Sequence, residues 1–142
     1  MIYKKNRLTI DGINIDFLAK KFNTPTYCYS AKRLRKNILN FKKQFSKFNP
    51  LVCFAVKANP NINILREIKR LNLGADVVSI GELMIALKAG IEPKKIVFSG
   101  VGKTKSELEY AIDKKILLIN TESKSEILEI EKIAKAKKKL SI

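Results

Sequence analysis

From residue 51 onward, short apolar runs alternate with stretches in which apolar residues recur every three or four positions. The short runs are typical of strands buried on both faces, and the longer stretches are typical of helices that bury one face. The predicted strands are LVCFAV (51–56), DVVS (76–79), KIVFS (95–99), ILLIN (116–120) and a last one that begins with KLSI (139–142). Their spacing leaves room for a helix in each connection, as a parallel sheet requires.

Residues at the predicted helix ends support this division. Thr104 with Glu107, and Ser123 with Glu126, match the capping box, in which a hydroxyl and a carboxylate satisfy free backbone amides. Gly74 and Gly90 are predicted to end helices, where a left-handed residue is favoured. Glu131 and Lys135 are spaced for an ion pair on an exposed helix face.

Alternating strands and helices predict the α/β class. Two architectures fit the pattern, an open doubly wound sheet and part of a (β/α)₈ barrel. A complete barrel takes about 250 residues. In the barrel interpretation, the 142 residues therefore make up about the first half of a TIM barrel.

Residues 1–50 have a different pattern. IYKKNRLTIDGINI has approximate strand alternation and an Asp11-Gly12 turn, which predicts a short β-hairpin. PTYCYS (25–30) predicts a further strand, after which Ser30 is expected to cap a basic amphipathic helix. We expect residues 1–24 to contribute to a β domain that the 142 residues do not contain, and residues 25–142 to form the partial barrel domain.

The net charge of +16 raises the question of nucleic-acid binding, because clustered cations gain affinity by releasing counterions from phosphates. The basic residues are spread along the chain, however, and five of the 29 are Arg. Aromatic side chains interleaved with arginine, the usual stacking platform, are missing from the sequence. We therefore expect no nucleic-acid partner, and keep a basic nucleic-acid-binding module as the least favoured alternative.

Composition also bears on location and on metal binding. No apolar run reaches the ~18 residues of a membrane span, and residues 1–12 lack the apolar core of a signal peptide. A cytoplasmic location without a membrane partner is expected. Cys28 and Cys53 lack CxxC spacing, and the chain has no histidine, so the sequence predicts no metal site. Both are expected to be buried free thiols.

Lys57 is the first candidate for chemistry, since it is predicted to be the last residue of the first strand of the sheet. Active sites of parallel α/β folds lie at the carboxyl ends of strands. A lysine shielded from water there has its ammonium form destabilised, so that the neutral amine can condense with a carbonyl to a Schiff base. The alternative is a strand-end lysine that extends to solvent.

Two further segments could contribute to a site. Asp76, within the apolar ADVV, needs a hydrogen-bonding or cationic partner if it is buried, and it serves either the site or local backbone amides. SGVGKT (99–104) resembles a phosphate loop but lacks the glycine that a Walker motif requires at position 97, where Val97 stands. A tight turn followed by a helix cap is the expected structure there.

Several segments carry a family resemblance: PTYCYS (25–30), FAVKAN (54–59), GADVVSIGEL (74–83), KIVFSGVGKT (95–104) and INTESKSEI (119–127). They resemble the N-terminal part of the pyridoxal-phosphate-dependent amino-acid decarboxylases built from a barrel and a β domain, most closely the diaminopimelate branch. The resemblance implies decarboxylation of meso-diaminopimelate to L-lysine and CO₂, in lysine biosynthesis, by an enzyme that is a homodimer at full length.

The resemblance also implies roles for individual residues. Lys57 would hold pyridoxal phosphate covalently, Asp76 would lie near the lysine and the cofactor, and Ala55 would line the pocket beneath it. The substrate would be a small molecule, an amino acid. Ile80 departs from the family pattern, because relatives commonly carry a small residue there, and it could crowd the start of the helix.

Parts that the family places downstream are not among the 142 residues: a histidine that stacks on the cofactor ring, a glycine-rich phosphate loop, a glutamate facing the pyridine nitrogen and the β domain. We therefore expect a fragment that binds the cofactor weakly and is inactive or poorly active alone. A non-catalytic pyridoxal-phosphate-binding barrel remains an alternative, which would not need the N-terminal hairpin. An alanine racemase is a related possibility that FSGVGKT disfavours.

Overall fold

The computed structural model describes residues 2–4 and 6–137. They divide into two compact units, Met1–Phe48 and Asn49–Ile142, each of which is described by itself. The domain boundary predicted between residues 24 and 25 stays a prediction. It divides residues of a β domain from residues of the barrel, whereas the two units described here are defined by contacts within the chain.

The first unit contains a small antiparallel sheet and two helices. The strands are β1 (Ile2–Lys4), β2 (Arg7–Ile10) and β3 (Ile13–Asn14), in the order β1-β2-β3. The helices are α1 (Ile15–Phe22) and α2 (Ala31–Gln44). Helix α1 is not predicted by the sequence pattern, although Asn14 caps it by accepting a hydrogen bond from the Asp16 backbone amide at 2.8 Å.

The predicted hairpin is confirmed between β2 and β3. Asp11 and Gly12 have φ angles of 53° and 91° and connect Ile10 to its antiparallel partner Ile13. Positive φ at both central residues is what a two-residue hairpin loop of the I′ type requires. The aspartate tolerates this conformation, and the glycine adopts it without steric cost.

Asp11 also contacts the start of α2. Its carboxylate accepts hydrogen bonds from the Ser30 hydroxyl at 2.5 Å and from the Lys32 backbone amide at 3.1 Å. The Ser30 bond, followed by the Lys32 amide, lowers the pKa of Asp11. Ser30 in turn accepts from the Arg33 amide at 3.0 Å, so the predicted cap of this helix is confirmed.

The strand predicted at residues 25–30 is wrong. The segment has no regular secondary structure, and Tyr27 is 91% exposed. Aromatic residues favour strands only where a neighbouring strand and a packing surface are available. Within the described part of the chain, no strand pairs with this segment.

The second unit is a parallel α/β structure, as predicted. Its strands are β4 (Cys53–Ala55), β5 (Gly74–Val77), β6 (Ile96–Phe98) and β7 (Leu118–Ile119). All three pairings are parallel, in the order β4-β5-β6-β7. The helices are α3 (Ile62–Arg70), α4 (Ile80–Lys88), α5 (Lys105–Asp113) and α6 (Lys124–Ala136). The fifth predicted strand, 139–142, lies outside the described residues.

The two faces of this sheet differ in burial. On one face, Phe54 and Ile119 are half-buried. The other side chains of that face are completely buried: Val56, Ala75, Val77, Ile96 and Phe98. Buried apolar side chains of the four helices complete this core, among them Leu65, Leu83, Leu108 and Ile133. On the opposite face Asp76 and Val97 are half-buried and Leu118 is 51% exposed. The core therefore lies on the helix-covered face, and the other face is open to the site described below.

Gly74 does not end a helix, contrary to the prediction. Helix α3 is followed instead by Asn72, which has the left-handed φ of 57°. Gly74 begins β5, where a Cβ atom would lie 2.2 Å from the Lys95 carbonyl oxygen and 2.7 Å from the Cys53 sulfur. It is needed for close approach rather than for turning. The prediction for Gly90 is confirmed, since it follows α4 with φ of 89°.

Candidate active site

The candidate site is the carboxyl edge of the parallel sheet. Each strand there leads into a loop and then into a helix, so residues that follow different strands lie along one edge. Polar residues that belong to this edge are Lys57 after β4, Asp76 within β5, Ser99 after β6 and Asn120 after β7.

Lys57 follows β4 but is not part of it. The strand ends at Ala55, and Lys57 is the middle residue of a 3₁₀ turn, Val56–Ala58. Val56 is completely buried, whereas Lys57 is exposed. The predicted position at the end of a parallel strand is therefore close to the observed one, but the predicted shielding from water is not found among the described residues. The tight turn and the open sheet face account for this difference.

Ala55 and Asp76 are directly opposite each other in the register of β4 and β5. The same row continues to Val97 in β6 and Leu118 in β7. Paired residues of neighbouring strands present their side chains on one face, and the helix-covered face is formed by the alternate residues. Ala55 and Asp76 thus share the open face, and Lys57 lies two residues beyond Ala55.

A chain of hydrogen bonds fixes the Asp76 carboxylate. Ser99 donates its hydroxyl hydrogen to Asp76 Oδ1 at 2.6 Å, and Asn120 Nδ2 donates to Ser99 Oγ at 2.9 Å. Asp76 therefore has a side-chain partner, rather than the backbone amides considered as its alternative role. Neither Ser99 nor Asn120 was predicted individually as a site residue. Each is a polar residue directly after an apolar strand, within a segment that carries the family resemblance, and this pattern could have identified them.

The SGVGKT segment forms a tight turn followed by a helix cap, as expected. Gly100 and Gly102 have φ angles of 93° and 68°, which favour glycine. The Thr104 hydroxyl accepts a hydrogen bond from the Glu107 amide, and the Glu107 carboxylate accepts one from the Thr104 amide, so this capping box is confirmed. Lys103 turns into the protein, so its ammonium group does not face an anion at the loop.

The side chain of Lys103 is only 1% exposed. Its Nζ donates hydrogen bonds of 2.7 Å to the Gly100 carbonyl, to the Asn120 carbonyl and to Glu126 Oε1. Burial by itself would raise the pKa of Glu126, but the hydrogen bond from Lys103 and the Glu122 backbone amide hold the pKa below its usual value. The ion pair connects the loop after β6 with the start of α6.

Three consecutive βα units share one half of the capping box, the bond from a glutamate amide to a hydroxyl. At the predicted capping box of Ser123 and Glu126 the other half is not formed, because the Glu126 carboxylate accepts from the Glu122 amide instead. The amides of Glu82, Glu107 and Glu126 donate to the hydroxyls of Ser79, Thr104 and Ser123. Glu107 also accepts from the Ile80 amide at 3.1 Å, and Glu126 accepts from Lys103. These two glutamates therefore connect their own loop with the loop of the preceding unit. Ile80, the departure from the family pattern, contributes to this connection through its backbone.

The two cysteines differ from the prediction. Cys28 is exposed and Cys53 is half-buried, so only Cys53 approaches the buried thiol expected. Burial, and then the negative charge of Asp76, raises the pKa of the Cys53 thiol. Both are free cysteines.

The fold and the site together define part of a parallel α/β enzyme domain, with an accessible amine and a fixed carboxylate at its carboxyl edge. The chain belongs to the pyridoxal-dependent decarboxylases, since the family model of their pyridoxal binding domain matches residues 31–142. In the part of the chain that the structure describes, no helix combines the length and apolar character needed to cross a membrane.

Named relatives agree with this family. The diaminopimelate decarboxylase of Aquifex aeolicus is 43% identical over 132 residues, which are 93% of this chain and 31% of that protein. The crystal structure of the Helicobacter pylori enzyme with L-lysine has a TM-score of 0.85 at 45% identity, over 88% of this chain and 32% of that one. The structure of the M. jannaschii enzyme with L-lysine has a TM-score of 0.91 at 38% identity, over 95% and 32% of the two chains.

These likenesses confirm the family resemblance and the partial-barrel interpretation of the fold. The chain spans about a third of the length of the relatives it matches. The roles of Lys57, Asp76 and Ala55 are not tested by these likenesses and stay predictions.

Proposed function

We propose that the chain forms the lysine-bearing part of a carboxy-lyase that converts meso-diaminopimelate to L-lysine and CO₂. The observation that carries this proposal is the position of Lys57 and Asp76 along one edge of the parallel sheet, within the segment that matches the pyridoxal binding domain. The relatives' names, and the L-lysine in two of their structures, support the substrate class.

Lys57 is the proposed attachment point of pyridoxal phosphate. A primary amine is the group that condenses with the cofactor's aldehyde. Lys57 is exposed among the described residues and is therefore accessible. Ala55, the last residue of β4, has a side chain small enough to leave space on the open face. When bound, the cofactor supplies an electron sink for the carbanion formed by loss of CO₂.

Asp76 is proposed to adjoin the bound cofactor. Its carboxylate is fixed by Ser99, so the orientation of its oxygen atoms does not have to be established during the reaction. A group held in this way provides preorganised electrostatics. Ala55, opposite Asp76, is proposed to form the floor of the same pocket.

The activity of the 142 residues alone is proposed to be low or absent, because they span about a third of the length of the relatives. A homodimer at full length and a cytoplasmic location are further proposals, as is the absence of a nucleic-acid partner. The N-terminal antiparallel sheet supports the decarboxylase over a barrel-only carrier of pyridoxal phosphate.

A chimera tests this proposal at the level of the whole enzyme. The chain would replace the matching 31% of the Aquifex aeolicus diaminopimelate decarboxylase. We expect the purified chimera to release CO₂ and L-lysine from meso-diaminopimelate, and the Lys57→Ala chimera to release neither. A folded chimera without activity, or one that is unaffected by Lys57→Ala, would contradict the proposal.

A further inference from the structure

The most deeply buried cation described in the second unit is not the proposed catalytic lysine but Lys103. An ammonium group has three hydrogens to donate, and Lys103 donates to three oxygens at 2.7 Å. With only 1% of its side chain exposed, it is shielded from water and its hydrogen-bonding capacity is fully used. A buried cation whose three hydrogens are all donated to protein oxygens is unsuited to binding a ligand. Its role must therefore be structural, through the groups that it contacts.

The partners of Lys103 belong to two adjacent loops of the carboxyl edge. The Gly100 carbonyl belongs to the loop after β6, and the Asn120 carbonyl belongs to the loop after β7. Glu126 lies in the first turn of α6, and its second carboxylate oxygen accepts from the Glu122 amide at 3.0 Å. A single side chain therefore connects the loop after β6 with the loop after β7 and with the helix that follows.

These contacts lie next to the hydrogen bonds that fix Asp76. Gly100 directly follows Ser99, whose hydroxyl donates to the Asp76 carboxylate. Asn120 accepts from Lys103 through its backbone carbonyl and donates to Ser99 through its side-chain amide. Displacement of either loop would thus move a donor of the Asp76 network.

We propose that Lys103 is a positioning residue: through the Gly100 and Asn120 carbonyls it holds the Ser99 and Asn120 side chains in place to orient Asp76. Its importance for the reaction rests on the proposed function, in which Asp76 adjoins the cofactor. The positioning itself requires no cofactor. It is therefore measurable in the chain of 142 residues.

The exposed pair Lys135 and Glu131 on α6 provides a contrast. Their side chains are 65% and 46% exposed, and such surface pairs contribute little to stability. Removal of one partner from a buried pair is much more costly, because the other charge is left without compensation. Lys103→Met and Lys135→Met are therefore matched substitutions with different expected outcomes.

The test measures the side-chain amide of Asn120 by ¹H–¹⁵N NMR. In Lys103→Met we expect its two resonances to move toward the positions of a free asparagine and to exchange faster with water. Lys135→Met should leave them unchanged. Ile133→Val, a buried substitution in α6, serves as the stability control: it lowers the unfolding free energy without removing a group of the network.

Unchanged Asn120 resonances in a folded Lys103→Met variant would overturn the proposal, as would equal changes in Ile133→Val. If Lys103→Met does not fold, Lys103→Gln gives the same test, since its amide group has two hydrogens and cannot donate to the Gly100 carbonyl, the Asn120 carbonyl and Glu126 at once. The unsubstituted chain offers a second measurement. Its Lys103 ammonium hydrogens should exchange slowly enough to show contacts with Asn120, and the lack of these signals would count against the proposal.

The proposed function fails independently. Failure of pyridoxal phosphate to attach to Lys57, with a shifted Asn120 amide in Lys103→Met, would refute the function and retain the positioning. Attachment at Lys57, with Asn120 amide resonances that do not move in Lys103→Met, would retain the function and refute the positioning.

Discussion

Ala55 and Asp76 lie directly opposite each other on adjacent parallel strands, with their side chains on the open face of the sheet. The register brings the last residue of β4, two positions before Lys57, alongside the carboxylate that Ser99 holds. A small residue and a fixed acidic residue thus flank the position where the chain turns toward Lys57. This relationship is the basis of the proposed site.

The Asp76 network can be tested through Ser99. Ser99→Ala removes the hydroxyl that donates to Asp76 and accepts from Asn120, so a half-buried carboxylate loses its side-chain donor. We expect a loss of about 1–2 kcal/mol in unfolding free energy, measured by urea denaturation. Ser46→Ala, at an exposed position, is the control and should change stability little. Equal stability of the two variants would mean that the network contributes nothing.

Gly74 provides a steric prediction. In Gly74→Ala the new Cβ would lie 2.2 Å from the Lys95 carbonyl oxygen, so the strands must separate. We expect a loss of about 3 kcal/mol, at the upper end of overpacking effects. Gly81→Ala is the matched control, because its nearest atom is 3.8 Å away and it lies in helix α4. That variant should be neutral or more stable by up to about 1 kcal/mol. Similar thermal unfolding of both variants would contradict the assigned role of Gly74.

The ion pair of Lys103 and Glu126 predicts a pH dependence. The pKa of Glu126 is lowered in the folded chain, despite the opposing effect of burial, because Lys103 and the Glu122 amide bind the carboxylate. A lowered folded-state pKa gives stability that is fully present above the unfolded value of about 4.3 and is lost as the pH falls through the folded value. We expect the unfolding free energy to decline from about pH 4.3 downward for this reason.

Glu126→Gln should remove part of that decline and reduce stability at pH 7 by about 2 kcal/mol. Urea denaturation at pH 7 and at a series of acidic pH values measures both effects. Glu122→Gln is the control: its side chain is exposed, and its backbone amide still donates to Glu126. A pH profile that Glu126→Gln leaves unchanged would show that the buried pair has no part in acid sensitivity.

Local signals in the sequence predicted much of the fold. The caps at Ser30, Thr104 and Ser123 are present because a hydroxyl before a helix satisfies free amides whatever the tertiary structure. The parallel strands were found from their apolar runs, with boundaries shifted by up to two residues. Position 74 was misassigned because glycine suits both a helix end and a close approach, and only the neighbouring Lys95 carbonyl decides between them.

The site was less predictable, because its contacts join residues distant in sequence. Ser99 and Asp76 are separated by 23 positions, and Lys103 and Glu126 also by 23. Helix and strand periodicities relate residues two to four positions apart, so they give no indication of contacts across 23 positions. Lys57 and Asp76 could be selected because lysine and aspartate are unusual beside apolar strands. The exposure of Lys57 depends on the tight turn after β4, which sequence periodicity does not reveal.

The central claim is that Lys57 is the amine to which pyridoxal phosphate attaches. It is tested most directly by adding pyridoxal phosphate to the chain at a limiting concentration, reducing with borohydride and mapping the labelled peptides. We predict that the label concentrates on Lys57, is lost from that peptide in Lys57→Arg, and is unaffected by Lys88→Arg on the exposed surface of α4. Label spread evenly over the surface lysines, with no preference for Lys57, would contradict the account.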